Sequence, residues 1–128
     1  MKNGITFALL LLAIGAEACL CVPRTPKEDY DAADTVFVGK VTALTGKKDE
    51  RWPIMTASME VERSWKGLHG IRTQVRDTAT DCQVGFKVGV RYLVYVRDGR
   101  TEGCFGTKQV DDSVADEIKA LGPSLPLK

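Results

Sequence analysis

Four cysteines are the residues of this sequence whose type and spacing most directly suggest chemistry. Cys19 and Cys21 stand one residue apart in the stretch EACLCVP at 17–23, whereas Cys82 and Cys104 lie far downstream. The close pair predicts a lipid attachment site, a thiol–disulfide exchange pair, or a chain terminus that has to begin at Cys19. The position at which the chain is cut decides among these three chemistries.

The first 18 residues have the three parts of a secretory signal peptide. Lys2 supplies a positive start, residues 5–14 form an apolar run, and the stretch AEA at 16–18 is a small-x-small cleavage site. The apolar run is shorter than the ~20 residues that span a bilayer. We therefore expect cleavage after Ala18, which makes Cys19 the first residue of a secreted, extracellular protein, or of a periplasmic one in a bacterium.

Lipid attachment at Cys19 is the weaker interpretation of this cleavage site. A lipoprotein signal usually has an aliphatic residue three positions before the cysteine and small residues between them, whereas Glu17 stands in that interval here. Lipidation would also leave an odd number of cysteines, which argues against it in an oxidising compartment. We expect contact with a membrane only if Cys19 is lipidated.

Composition and charge narrow the classes of function. The 128 residues carry 18 basic and 17 acidic side chains, so the net charge of +1 gives no reason to expect nucleic-acid binding. Residues 19–122 suffice for one small domain, and we expect residues 123–128 to form a flexible tail. The four cysteines predict two disulfides. We expect no structural zinc site, because no two of the cysteines form a Cys-x-x-Cys motif. We expect a monomer without a cofactor of its own.

Enzymatic chemistry is not expected from this sequence. Cysteines of a thiol–disulfide exchange pair usually begin a helix, whereas Val22-Pro23 after Cys21 predicts extended backbone. His69 is the single histidine, so a Ser–His or Cys–His catalyst would have to use it. It lies in the glycine-flanked stretch GLHG at 67–70, which is typical of a solvated loop.

The elements that must position the cysteines alternate between turn signals and β-branched runs. Thr25, Pro26 and Glu28 predict a capped helix start, with the helix ending near Ala33, and Gly39 predicts a bulge within a strand. The remaining pattern predicts strands at 35–44, 54–66, 71–78, 90–97 and 101–108, followed by a helix at 111–121. Five antiparallel strands with a short helix at each end favour an all-β fold, a Greek-key barrel of the OB type.

The four cysteines allow three disulfide pairings. Pairing Cys19 with Cys21 would close a very small, strained ring. Each of the other two pairings joins the N-terminal segment to the far part of the barrel through Cys82 and Cys104, and each disulfide could stabilise the fold by about 4 kcal/mol. The residues alone leave both of these pairings open. A chain terminus normally frays, so disulfides that order this one suggest that the terminus itself takes part in the function.

Several stretches together resemble one known family. They are CLCVPRTP at 19–26, AADTVFVGKV at 32–41, ERSWKG at 62–67, DCQVG at 81–85, RYLVYV at 91–96 and a cysteine in the last predicted strand. From Cys19 to Leu121 the chain is similar to the N-terminal domain of the tissue inhibitors of metalloproteinases, a netrin-like module with an OB-type barrel. The Cys-x-Cys start directly after a signal peptide is the most specific of these features. The stretch DYDAAD at 29–34 lacks the cysteine of a third disulfide that the family usually has.

The resemblance implies a disulfide pairing and a mechanism. It implies the disulfides Cys19–Cys82 and Cys21–Cys104, and a mature N-terminus that inhibits a zinc metalloendopeptidase. The α-amino nitrogen and carbonyl oxygen of Cys19 would chelate the zinc of the target protease and displace its attacking water. The implied inhibitory ridge consists of Cys19, Leu20, Cys21, Val22, Pro23, Thr80 and Asp81.

Two ridge positions differ from the family's usual residues. Leu20 would enter the primed-side specificity pocket, where the family commonly has a small or hydroxyl residue, so proteases with a deep apolar pocket should be favoured. Asp81 places a carboxylate beside the metal, where the family often has an apolar residue. The alternative interpretation is a non-inhibitory extracellular netrin-like binding module, free or lipid-anchored, whose partner surface lies elsewhere on the barrel. A free Cys19 amine favours inhibition over this alternative.

Overall fold

Two short helices flank a six-stranded sheet in this protein. The structure is a computed structural model that describes residues 19–47 and 49–128, so the expected signal peptide at 1–18 lies outside the described residues. The elements are α1 Pro26–Ala32, β1 Thr35–Gly46, β2 Met55–Lys66, β3 Arg72–Asp77, β4 Arg91–Val96, β5 Arg100–Thr101, β6 Lys108–Gln109 and α2 Ala115–Ala120, with 3₁₀ turns at Gly103–Phe105 and Asp112–Val114. No helix within the described ranges is long and apolar enough to cross a membrane.

Helix α1 begins as its capping residues predict. The Thr25 hydroxyl accepts a hydrogen bond from the Glu28 N–H at 3.2 Å, and the Glu28 carboxylate accepts one from the Thr25 N–H at 3.3 Å. Pro26 occupies the first turn, and Ala33 ends the helix in an extended conformation. This reciprocal capping satisfies N–H groups that a helix start leaves without partners, so the predicted helix start is confirmed.

The strands form one curled, half-barrel sheet in the order β5-β3-β2-β1-β4-β6. The β3–β5 pair is parallel and the other neighbouring pairs are antiparallel. The pairing register of β1 shifts between Val38 and Gly39, which confirms the predicted bulge. A Cβ at Gly39 would lie 2.9 Å from the Phe37 ring, so the absence of a side chain allows the close approach at this bend.

The predicted continuous fifth strand at 101–108 is wrong. The segment instead forms β5 and β6, each two residues long, at opposite edges of the sheet. The 3₁₀ turn at Gly103–Phe105 separates them, and Gly106 follows it with φ 82°, a left-handed conformation that an extended strand cannot contain. The hydroxyl oxygens of Thr101 and Thr107 lie 2.6 Å apart and hold the two ends of this segment together. The segment therefore links the two edges of the curled sheet.

Buried side chains fill both faces of the sheet. One cluster contains Phe37, Val41, Ala57, Met59, Val61, Val75, Phe86, Tyr92, Val94 and Val96. The other lies against the helices and contains Ala33, Val36, Val38, Trp65, Leu93, Tyr95 and Val114. Strict alternation would place Trp65 on the same face as Met59, but the register skips Glu62 between Val61 and Arg63. This bulge turns Arg63, which pairs with Val38, and then Trp65 to the helix side.

A buried tyrosine attaches α2 to the sheet. The Tyr95 hydroxyl donates to the Glu117 carboxylate at 2.9 Å, and Lys108 forms an ion pair with the same carboxylate at 2.7 Å. Burial, together with the hydrogen bond and the negative charge of Glu117, raises the pKa of the Tyr95 phenol well above its usual value of 10.0. This contact keeps the C-terminal helix in a fixed position over the second cluster.

The C-terminal residues, expected to form a flexible tail at 123–128, contact the sheet in the structure. The Leu125 N–H donates to the Ser64 carbonyl at 2.6 Å, and the Lys128 N–H donates to the His69 carbonyl at 2.8 Å. The Leu127 side chain lies against the first cluster. These contacts are made with residues far earlier in the chain, so they could not be predicted from the polar, proline-containing sequence of residues 123–128 itself.

Candidate functional site

Two disulfides fix the N-terminal segment, residues 19–24, to distant parts of the chain. They join Cys19 to Cys82 with Cα atoms 5.0 Å apart, and Cys21 to Cys104 with Cα atoms 5.2 Å apart. This is the pairing that the resemblance implies. A segment without secondary structure is thereby attached at two points, so its backbone loses the freedom that a chain terminus normally has.

The two disulfides lie against each other. The sulfur of Cys104 is 3.3 Å from that of Cys19 and 3.9 Å from that of Cys82. The Gly103 N–H also donates to the Cys82 carbonyl at 2.7 Å, which joins the two anchoring segments through their backbones. The sulfurs of Cys19, Cys21 and Cys104 all lie within 4.8 Å of one another, but each is in a disulfide and none is the thiolate that a metal requires.

The side chains between and after these disulfides point into solvent. Leu20 is 90% exposed and Val22 is 80% exposed, whereas Cys19 is partly buried. Apolar side chains this exposed contribute nothing to the stability of the fold, because folding removes none of their apolar surface from water. The segment therefore presents two apolar side chains on a backbone that the disulfides already hold in place, an arrangement suited to inserting them into the groove of another molecule.

A buried carboxylate shapes the loop that carries Thr80, Asp81 and Cys82. Asp77 is only 3% exposed. Its Oδ1 accepts hydrogen bonds at 2.9 Å from the N–H groups of Thr78 and Val84, and its Oδ2 accepts one at 2.9 Å from that of Gly85. Three backbone donors at both ends of the loop are thus satisfied by one side chain.

Within that loop a tight turn precedes Cys82. The Thr80 hydroxyl accepts from the Cys82 N–H at 3.1 Å, and the Thr80 carbonyl accepts from the Gln83 N–H at 3.1 Å. Thr80 and Asp81 are exposed. The predicted ridge residues are therefore held on two adjacent segments, residues 19–23 and 80–82, that the Cys19–Cys82 disulfide joins.

The groove beside the N-terminal segment is lined by residues that the sequence pattern did not single out. Leu20, Cys21 and Val22 border it together with Arg24, Cys82, Glu102, Cys104 and Phe105. Thr80 and Asp81 do not line this groove. Glu102 and Phe105 lie beside Cys104 in the segment that was expected to be a strand, which is why their position could not be anticipated.

Arg24 anchors the end of the N-terminal segment. Its Nε donates to the Asp29 carboxylate at 2.8 Å, its Nη2 donates to the Glu28 carbonyl at 3.3 Å, and its guanidinium lies 5.7 Å from the centre of the Phe105 ring. Asp29 is 6% exposed but the Arg24 side chain is 35% exposed, so water reaches this ion pair from the arginine side. An arginine one residue before a capped helix, with a carboxylate in the first turn, is a sequence signal that could have identified this anchor. The same Asp29 carboxylate lies close to Gly106, because a Cβ added at Gly106 would be 2.7 Å from its second oxygen.

His69, the single histidine, is exposed in the turn between β2 and β3. Its backbone carbonyl accepts from Lys128, and none of the hydrogen bonds or ion pairs found among the described residues uses its imidazole. His69 is also not among the residues that line the groove beside the N-terminal segment.

Comparison with known proteins finds no family model that matches the chain and no curated protein that matches it significantly.

Proposed function

We propose that this protein is a secreted inhibitor of zinc metalloendopeptidases that acts through its mature N-terminus. The observation that carries the proposal is the N-terminal segment, which two adjacent disulfides hold while Leu20 and Val22 remain 90% and 80% exposed. A binding segment that is already ordered loses little conformational entropy when it enters a protease cleft. The resemblance to the tissue inhibitors of metalloproteinases supplies the kind of partner.

The chemistry of Cys19 fits the zinc of such a partner. A catalytic zinc keeps one coordination position open for water or substrate. After cleavage behind Ala18, the Cys19 amine would take that position and displace the water, and its carbonyl oxygen would complete the chelate as the zinc expands to five ligands. An α-amine has a pKa near 8, so it is partly neutral at physiological pH, and the metal favours the neutral, ligating form. The zinc belongs to the protease, and the inhibitor contributes no metal of its own.

The exposed neighbours of Cys19 supply the contact area. Leu20 enters the primed-side specificity pocket, and its complete burial contributes roughly 1.5–3 kcal/mol. Val22 and Pro23 continue the contact as extended backbone, and Thr80 and Asp81 form a wall beside the Cys19–Cys82 disulfide. We further propose that the curled sheet is a variant of the OB-type barrel and that the inhibitor acts as a monomer outside the cell.

The test uses three forms of the protein against a panel of zinc endopeptidases. They are the form that begins at Cys19, a form that retains Ala18, and the Leu20→Gly variant, with N-terminal mass spectrometry confirming each terminus. Retaining Ala18 converts the amine into an amide, a poor zinc ligand, so inhibition should fall by orders of magnitude. Leu20→Gly should weaken inhibition by roughly 10- to 100-fold, because each tenfold corresponds to about 1.4 kcal/mol.

A matched control separates the pocket contact from general loss of apolar surface. Val88 is 60% exposed in a turn between β3 and β4, so Val88→Gly removes a comparable exposed side chain outside the ridge and should leave inhibition unchanged. All forms should remain folded, because their disulfides and core are intact. If the form that begins at Cys19 inhibits no protease, or the Ala18-extended form inhibits equally well, the mechanism is wrong and the non-inhibitory binding module takes its place.

A further inference from the structure

Three arginines stand side by side across the β3–β5 edge of the sheet. Arg76 pairs with Arg100 in the parallel β3–β5 register, and Arg100 pairs with Arg97 across an antiparallel bridge. Both backbone hydrogen bonds of the Arg97–Arg100 bridge are formed, at 2.9 and 3.0 Å, which fixes these two residues opposite each other. All three are exposed, and we call Arg76, Arg97 and Arg100 the arginine row.

Asp98 and Glu102 border the same depression as Arg97 and Arg100, but neither carboxylate forms an ion pair with a row arginine. Among the residues that the structure describes, none of the ion pairs includes a row arginine. Asp77 is adjacent in sequence, but it is buried and its two oxygens accept from backbone N–H groups. Like charges directly opposite each other on neighbouring strands destabilise a sheet. A row of two such pairs is therefore an arrangement that an anionic group from outside would relieve.

The arginine row shares its surroundings with the inhibitory ridge. One depression is bordered by Arg76 and Arg100 together with Thr80 of the ridge. A second is bordered by Arg97 and Arg100 together with Glu102 and Phe105, and these last two residues also line the groove beside Leu20 and Val22. The surface is thus continuous from the N-terminal segment to the row, so a protein that is bound at the ridge also faces the arginines.

We propose that the arginine row is a second contact surface for the protease, and that it selects proteases with carboxylates on the rim of the cleft next to the zinc. This proposal rests on the proposed function, because the ridge determines which molecule faces the row. Guanidinium groups match carboxylates through paired N–H donors and keep their charge at all physiological pH values. Charges at the rim of an interface act mainly on the rate of association and on its salt dependence, whereas affinity comes from the buried centre.

The test measures association and dissociation rates against a zinc endopeptidase that the wild type inhibits and whose cleft rim is acidic. One variant replaces all three row arginines by glutamine. A control variant removes the same charge elsewhere, through Lys40→Gln, Arg72→Gln and Lys119→Gln, and a third replaces the row by lysines. Circular dichroism melts verify that each variant remains folded, which is expected because the row side chains are exposed.

The row-to-glutamine variant should associate about tenfold more slowly than the control variant at low ionic strength. This difference should vanish near 1 M salt, where the screening length is about 3 Å. The lysine variant should recover most of the rate, because it keeps the charge, and the dissociation rates should change less than the association rates.

Equal association rates and equal salt dependence of the row and control variants overturn the proposal, while the proposed function stands. Weaker retention of the row variant on an immobilised sulfated polysaccharide, with unchanged association to the protease, also overturns it and assigns the row to that polyanion. A wild type that inhibits no protease overturns both the proposed function and this proposal.

Discussion

Asp77→Asn should loosen the loop that carries Cys82, and its effect can be worked out from three hydrogen bonds. The buried carboxylate accepts at 2.9 Å from the N–H groups of Thr78, Val84 and Gly85. Asparagine is almost the same size, but its NH₂ group donates and cannot accept. Even in the better of its two orientations, the NH₂ faces the Gly85 N–H, and this donor loses its partner.

The expected loss has two contributions. A backbone donor that is left without a partner costs about 1–3 kcal/mol, and the two hydrogen bonds that remain become weaker because their acceptor is no longer charged. We expect the free energy of unfolding to fall by about 3 kcal/mol. For a domain of this size, that corresponds to a decrease of roughly 10–20 °C in the melting temperature.

Urea unfolding with intact disulfides, followed by circular dichroism, measures this difference. The midpoint should move to lower urea while the slope m stays constant, because the same surface becomes exposed on unfolding. Asp81→Asn is the matched control, since it makes the same chemical change in the same loop at an exposed carboxylate and should change stability by less than about 0.5 kcal/mol. If the two variants unfold at the same urea concentration, the buried carboxylate does not hold the loop and our reasoning is refuted.

Two further variants test contacts around the helices. The pKa of Tyr95 is raised in the folded protein, so above pH 10 the phenol loses its proton in the unfolded chain before it does so in the folded one. The free energy of unfolding that this tyrosine contributes below pH 10 is therefore lost as the pH rises. Tyr95→Phe should therefore make the fall in the free energy of unfolding above pH 10 shallower in urea titrations, and an unchanged slope would contradict this. Gly106→Ala should destabilise the protein by about 1–2 kcal/mol more than Gly99→Ala, by thermal melts. Both glycines have positive φ, but only the new Cβ at 106 would meet the Asp29 carboxylate, at 2.7 Å, so equal losses would contradict that contact.

Local signals were sufficient for the elements whose residues interact with near neighbours in the chain. The capping pair of Thr25 and Glu28 and the bulge at Gly39 both depend on residue propensities that a single segment carries. The pairing of the cysteines was different, because sequence spacing left two pairings open. Only the resemblance chose between them, and the structure has the pairing that it implied.

The parts that could not be predicted depend on contacts between distant segments. The stretch at 101–108 has the composition of a strand, but Cys104 is bonded to Cys21 and Gly106 turns the chain, so the stretch divides between two sheet edges. Trp65 changes faces because of a bulge that its own alternating pattern does not reveal. The arginine row was equally hidden, since Arg76 becomes a neighbour of Arg100 only through the β3–β5 pairing.

The two disulfides also determine what a single cut in the backbone can do to this protein. The pairing is interleaved, because Cys21 lies between Cys19 and Cys82 while its partner Cys104 lies beyond both. A peptide bond broken anywhere from Cys19 to Cys104 therefore leaves two fragments that at least one disulfide still joins. Residues 49–52, which are exposed between β1 and β2, lie inside this span, so hydrolysis there would release no fragment. For a molecule whose proposed partner hydrolyses polypeptides, the interleaved pairing makes one cleavage insufficient to separate the N-terminal segment from the sheet.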